Sequence, residues 1–275
     1  SYRAFLNGTL LSGSSVSALV PSLISNFALV GATQMNGIYN PAGYFNGDMT
    51  EIAVFSRQLN DAERVVLQNN LGAKYMLPIA DDHYAWETTH SHDVSGIAAF
   101  NGTTFTNAWS TGMLSVTSPT SLSEGEYLFF GHNKASAKTW TTAEVPAPGT
   151  YRLPREWRFD ETSDVGTVTI RVPASSLPAL PAGYPTVGIL VDDDGDFSAG
   201  ATMYRPTLSG GSYTLNLNVT DGQYLTIIAF RPEVNYTVPA GAGLESVTPV
   251  SVQVSLNYPH TANVTVNYRI DKRIS

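Results

Sequence analysis

The sequence predicts an all-β protein made of consecutive β-sandwich modules, jelly-roll and immunoglobulin-like, with one short helix. Three observations point there. Among 275 residues, Gly (23), Pro (16) and Tyr (14) are abundant and only 14% are charged, a composition that suits short strands joined by turns. Apolar residues recur at alternate positions in segment after segment, the period of a half-buried strand. A single stretch, from Asn60 to Tyr75, combines a helix start signal with apolar residues every four positions.

The elements follow in order. Asn7-Gly8, between Phe5-Leu6 and Thr9-Leu10, is a two-residue hairpin signal. "FALVGA" (27–32) and "MTEIAVFSRQL" (49–59) read as strands bounded by Gly and Asn. Asn60 then stands as an N-cap with Glu63 three residues later, and Leu67, Leu71 and Tyr75 are expected to form the stripe that this helix lays on a sheet. Pro78 breaks it. Beyond lie strands in "EYLFFGH", in "TVTIRV" with Val168, Ile170 and Val172 on one face, in "VGILVDDD", in "YTLNLNV" with Leu215, Leu217 and Val219 on one face, and in "QYLTIIAF". The Pro/Gly/Ala-rich "YTVPAGAGLE" reads as a linker. Val250 to Leu256 and Val264 to Ile270 alternate apolar with polar, as a hairpin would.

These signals divide the chain into a partial module at 1–77, a central β-sandwich at 78–232, a linker at 233–245 and a partial module at 246–275. Both ends read as interrupted patterns. They are expected to be completed by preceding and following segments of a longer chain, or by adjacent copies that add strands.

"FLNGTLL", "ALVGA" and "GYFNGDMTEIAVFSRQLNDAERVVLQNNLGAKYML", in that order, resemble the second half of a laminin-G-like, concanavalin-type jelly roll. The set "THSHDVSGIAAF", "EYLFFGHN", "RLPREWRFDETSDVGTVTIRV", "GILVDDDGDFSAGAT" and "DGQYLTIIAF" resembles a domain of unassigned function. That domain follows laminin-G-like modules in long, repetitive surface proteins of Bacteroidota exported by the type IX route. "VSVQVSLNYPHTANVTVNYRI" is similar to the opening of a Calx-β or immunoglobulin-like repeat. The resemblances imply an extracellular or cell-surface location and a role in adhesion or filament building.

Net charge is −8, with no Lys/Arg cluster, so the electrostatic footprint for nucleic acid or an anionic membrane is missing. No apolar run reaches the roughly 20 residues that cross a bilayer. Without cysteine there are no disulfides, thiolate metal sites or cysteine nucleophiles.

Candidate chemistry is sparse. Asp192, Asp194 and Asp196 alternate in "VDDDGDFSAG", the spacing with which oxygen-rich loops wrap Ca²⁺. Phe197 stands where an EF-hand needs glycine, and the alternative is a solvated acidic turn. His90, His92 and Asp93 could begin a metal site or tie a loop to backbone. Arg152, Arg155, Glu156, Trp157 and Arg158 form the one dense patch of charge and aromatic, read as strand packing in preference to a carbohydrate platform. Asp48 and Glu51 are the one carboxylate pair in the jelly-roll piece, and no Gly-x-Ser-x-Gly elbow occurs. The reading is therefore a non-catalytic structural or adhesive segment with no enzyme activity. Its rivals are a Ca²⁺-assisted carbohydrate- or protein-binding module, with Tyr39, Tyr44 and Trp109 as contact aromatics, and a glycan-active enzyme.

Overall fold

The computed structural model describes residues 3–11, 32–35, 38–146, 150–231, 234–236, 253–256 and 265–267. The Asn-Gly signal is realised directly. β1 (Phe5–Leu6) pairs antiparallel with β2 (Thr9–Leu10), and Asn7 and Gly8 take φ values of 48° and 85°, as a type I′ turn requires. β3 (Ala32–Met35) and β4 (Ile38–Tyr44) form a second antiparallel pair. "FALVGA", apart from Ala32, lies outside the described residues.

The strand expected at 49–59 is not formed. These residues are irregular, and Met49, Ile52, Val54 and Phe55 are exposed. Apolar alternation makes a strand only where a neighbour satisfies the backbone. Here Glu51 instead accepts hydrogen bonds from Lys74 Nζ (2.7 Å) and Tyr75 OH (2.8 Å), which tie the segment to the helix.

Helix α1 (Asp61–Tyr75) starts with the anticipated capping box. Asn60 Oδ1 accepts from the Glu63 N–H at 2.8 Å, and Glu63 Oε2 accepts from the Asn60 N–H at 2.9 Å. It ends at Met76, in left-handed conformation, before Pro78. Its buried face differs from the expected one. Ala62, Val65, Val66, Asn69, Gly72 and Ala73 are buried, whereas Leu67, Leu71 and Tyr75 are half-buried. Small side chains let the helix axis approach the sheet, and the longer ones flank that contact.

The next strands are β5 (His92–Phe100), β6 (Thr103–Phe105), β7 (Asn107–Trp109), β8 (Ser115–Thr117), β9 (Tyr127–His132), β10 (Thr150–Arg152), β11 (Trp157–Thr162), β12 (Val168–Pro173), β13 (Thr186–Asp192), β14 (Thr202–Tyr204), β15 (Thr207–Ser209), β16 (Ser212–Leu217) and β17 (Tyr224–Phe230). They build two antiparallel sheets. One runs β14-β13-β17-β11-β9-β5-β6, with β10 also paired to β17, and the other runs β15-β16-β12-β8-β7. β10 and β11 are one path interrupted at Pro154, which has no N–H to give the ladder. The described part of the fold is thus an all-β sandwich with one helix.

The two sheets differ in what they bury. Ile97, Phe130, Phe159 and Ile227 from the larger sheet meet Ala108, Val116, Ile170 and Leu217 from the smaller in one core. The larger sheet also buries its other face. Val94, Ala98, Tyr127 and Phe129 lie under α1 and Tyr84, and Leu190, Ile228 and Phe230 lie under Phe197 and Met203. Hence "YLFFGH" and "YLTIIAF" read as continuous apolar runs, while Val168, Ile170 and Val172 alternate with half-buried Thr169 and Arg171.

β18 (Val234–Tyr236), inside the segment read as linker, pairs antiparallel with β19 (Val254–Leu256). The hairpin expected between 250–256 and 264–270 falls mostly outside the described residues; 265–267 carry no strand.

A packing test follows from Gly131. A Cβ there would sit 2.2 Å from the His90 carbonyl oxygen and 2.5 Å from the Tyr84 hydroxyl. Gly131→Ala is expected to destabilise the chain by about 1–3 kcal/mol or more in urea unfolding; an unchanged midpoint would contradict this close approach.

Candidate functional site

β9 lays His132 opposite His92 on β5, and the register then shifts between His92 and Ser95. The extra residue of this bulge is Asp93, whose φ of 50° places it in the left-handed region. Strain of this kind persists only where the surroundings hold it, and here they do so on every side. Asp93 Oδ2 lies 2.8 Å from His132 Nε2, Oδ1 accepts from Thr111 Oγ1 at 2.5 Å, and its carbonyl accepts from Ser110 Oγ at 2.7 Å. His132 Nδ1 accepts the Lys134 N–H at 3.0 Å, so its proton sits on Nε2 and is donated to Asp93.

Burial pushes the His132 imidazole below its ordinary pKa, against the opposing hydrogen bond to Asp93. For Asp93, burial acts to raise the carboxyl, but the hydrogen bonds from Thr111 and His132 outweigh it and hold it low. The result at neutral pH is a neutral imidazole bonded to a carboxylate, a rigid clamp between sheet and loop.

That clamp fixes the Ser110–Gly112 turn, where the Gly112 N–H also donates to Ser110 Oγ at 3.0 Å. Directly before it, at the end of edge strand β7, Trp109 is 59% exposed. Two clefts meet at Trp109, Ser110 and Thr111: one of 330 Å³ toward Lys138 and Arg155, and one of 480 Å³ toward α1. Both volumes are within the range of small-ligand sites.

The other candidates occupy other places. His90 is buried, with Nδ1 2.9 Å from Thr89 Oγ1 and its carbonyl accepting from the Tyr84 hydroxyl at 2.7 Å. Burial, helped by the nearby Arg158 and His132, pushes its imidazole down to about 4. Trp157 is fully buried in the core, as strand packing anticipates, and Arg152 pairs with Glu144 and Glu156. Arg158 is enclosed instead by Trp86, 3.2 Å from its ring centroid, and Tyr224. Glu51 is bound to Lys74 and Tyr75. Tyr39 and Tyr44 lie on β4, in a different sheet from Trp109. His132, the partner that orders the whole clamp, belongs to no spacing pattern in the sequence; its one signal is the polar end of an otherwise apolar "YLFFGH".

The acidic loop turns its carboxylates onto its own backbone. Among the described residues, no group of three or more His, Cys, Asp or Glu side chains is placed to hold a metal ion. The carboxylates are taken up stepwise by backbone. Asp192 Oδ1 accepts from the N–H groups of Asp194 (2.9 Å) and Gly195 (2.7 Å), Asp194 Oδ1 from Asp196 (2.8 Å), and Asp196 Oδ1 from Ser198 (3.0 Å). Asp residues folding their own loop in this way are successive Asx turns. Burial and the neighbouring Asp194 carboxylate raise the Asp192 pKa, against the two backbone N–H bonds.

A two-sheet antiparallel sandwich whose internal polar clamp supports an exposed aromatic edge is the class defined by fold and site. The domain of unknown function DUF8202 matches residues 79–223, more than half of the chain, and the chain belongs to that family. No curated protein and no solved structure matches it.

Two measurements check these assignments. Asp192→Asn keeps the acceptor and removes a buried charge, so its stability at pH 7 is expected to equal or exceed that of the parent. Asp192→Ala strands two N–H donors and should cost about 1–3 kcal/mol; equal losses in both variants would refute the turn assignment. His90 in the unfolded chain gains a proton near pH 6.5 but in the folded chain only near 4. Its contribution is therefore full above pH 6.5 and lost as pH falls through 4. Unfolding free energy should drop by about 2–3 kcal/mol more over that window in the parent than in His90→Gln; parallel pH profiles would rule this out.

Proposed function

We propose that the chain is a non-catalytic structural and adhesive segment of a large bacterial cell-surface or filament protein, acting outside the cell. The sandwich is its spacer and the loops around Trp109 its contact surface. The observation that supports this reading most is the state of the Asp93–His132 pair. Asp, His and hydroxyl side chains converge there as they do in hydrolytic sites, but the chemistry of a triad needs an imidazole nitrogen facing the nucleophile. In this chain His132 has one nitrogen on Asp93 and the other on the Lys134 N–H, and the Thr111 hydroxyl is bonded to the carboxylate rather than to the imidazole. The group is built to hold a turn, and Trp109 beside it has the exposure of a contact residue.

Two readouts test the proposal. A panel of polysaccharides and peptides incubated with the chain is expected to show no turnover, and His132→Gln to lower the melting temperature. Turnover that disappears in a folded His132→Gln variant would overturn the non-catalytic part. Beads coated with the chain should be retained on at least one of mucin, bacterial exopolysaccharide or plant cell-wall surfaces, and absence of retention on all of them would overturn the adhesive part.

A further inference from the structure

We infer that the cleft beside Trp109 binds a carboxylated glycan, with a sugar ring stacked on the indole and its carboxylate between Lys138 and Arg155. This deepens the adhesive reading and rests on it, since it names the ligand class of the contact surface.

The platform comes from strand register. Trp109 on β7 faces Ser115 on β8, which faces Arg171 on β12, so the three form one row across the smaller sheet. Their neighbours Ala108, Val116 and Ile170 point into the core, and side chains alternate along a strand, so the row points outward. Ser115 is small and buried beneath, and across it the Arg171 guanidinium carbon comes 5.4 Å from the centroid of the Trp109 ring. The guanidinium thus braces the indole, leaving it 59% exposed. A pyranose presents C–H groups on its faces and hydroxyls on its rim, which matches an exposed indole bordered by the hydroxyls of Ser110, Thr111 and Ser176.

The charge follows from what lines the cleft. The chain carries 23 acidic and 15 basic residues, yet Lys138 and Arg155 contribute to the wall and no Asp or Glu does. Arg155 donates to the carbonyls of Ala135 (3.0 Å) and Gly112 (3.3 Å), and Lys138 to that of Ser176 (3.4 Å). Among the described residues, neither they nor Arg171 form an ion pair within 4.0 Å. The acid whose charge reaches Arg155 is Asp93, already bonded to His132 and Thr111. Asp93 offsets part of the Arg155 charge from behind the wall, and among the described residues no acid pairs with Lys138, so the lining of the cleft stays positive on an acidic protein, and such a cleft attracts an anion. Phosphate sites add several free backbone N–H groups, whereas the Gly112 N–H at this turn is bonded to Ser110. A carboxylate on a sugar fits better.

The test is calorimetric titration of the full chain with oligogalacturonate, alginate and hyaluronan oligomers, and with methyl-esterified oligogalacturonate, which keeps ring and hydroxyls and removes the charge. At least one uronate oligomer is expected to bind, with about tenfold or greater loss on esterification, in Trp109→Ala and in Lys138→Ala, and with affinity that falls as salt rises. Trp109 and Lys138 are exposed, so both variants should melt like the parent. Absence of binding to all three oligomers, binding that survives esterification or Trp109→Ala, or full displacement by inorganic phosphate at equal concentration would each overturn the inference. Failure of the site and failure of the adhesive reading are separable: beads carrying Trp109→Ala that adhere as well as parent beads sink only the site, and loss of all bead adhesion sinks the broader reading.

Discussion

A sheet buried on both faces has to be covered twice, and the rest of this structure follows from that requirement. The larger sheet has apolar side chains on both sides of β9, β13 and β17. The smaller sheet covers one side. On the other, α1 and Tyr84 cover the β5–β9 half, while the loop carrying Phe197 covers the β13–β17 half. Each fully buried Phe or Ile is worth roughly 1.5–3 kcal/mol against exposure, so neither cover is dispensable. The Asx turns at Asp192, Asp194 and Asp196 acquire their purpose here. They fold an acidic loop tightly enough that Phe197, fully buried, reaches the sheet.

The same requirement explains the strained residue at the site. β5 lies under α1 on one side and contributes Ile97 to the inter-sheet core on the other. A bulge at its start allows Asp93 to leave the alternation and direct its carboxylate toward His132 and the Ser110–Gly112 turn. Backbone strain at one residue is offset by three polar contacts, two of them from a loop that would otherwise be free to move. Rigidity at the base of the Trp109 edge comes from this exchange, and a rigid aromatic surface binds with less loss of conformational entropy than a mobile one.

Most of the fold was legible because its signals are local. The Asn7-Gly8 turn, the Asn60–Glu63 capping box and the alternation of Val168, Ile170 and Val172 each depend on a few adjacent residues, and each is realised. The failures all involve distance along the chain. Nothing near Met49–Leu59 reveals that, among the described residues, no strand pairs with it. Nothing in α1 reveals that its small residues, not Leu67 and Leu71, meet the sheet, because that preference is set by how closely β5 and β9 approach. At the site, His90, His92 and Asp93 drew attention through proximity in sequence, whereas the functional pairing of Asp93 is with His132, 39 residues away. The Asp192 loop shows the converse: a spacing that fits a cation equally fits carboxylates capping their own backbone.

The extent of the family match carries its own structural argument. Residues 79–223 include the clamp, Trp109 and both walls of the cationic cleft, but they stop short of β17 and omit α1. β17 is the strand on which β10, β11 and β13 all pair, so removing it would divide the larger sheet and leave three rows of backbone groups unpaired. Removing α1 would uncover Val94, Ala98 and Phe129. The unit that can hold Asp93 and Trp109 in place is therefore the span from α1 through β17, longer than the matched segment at both ends. Neither addition lines the cationic cleft toward Lys138 and Arg155. The matched residues carry the surface, and the helix before them and the strand after them keep the sheet beneath it intact.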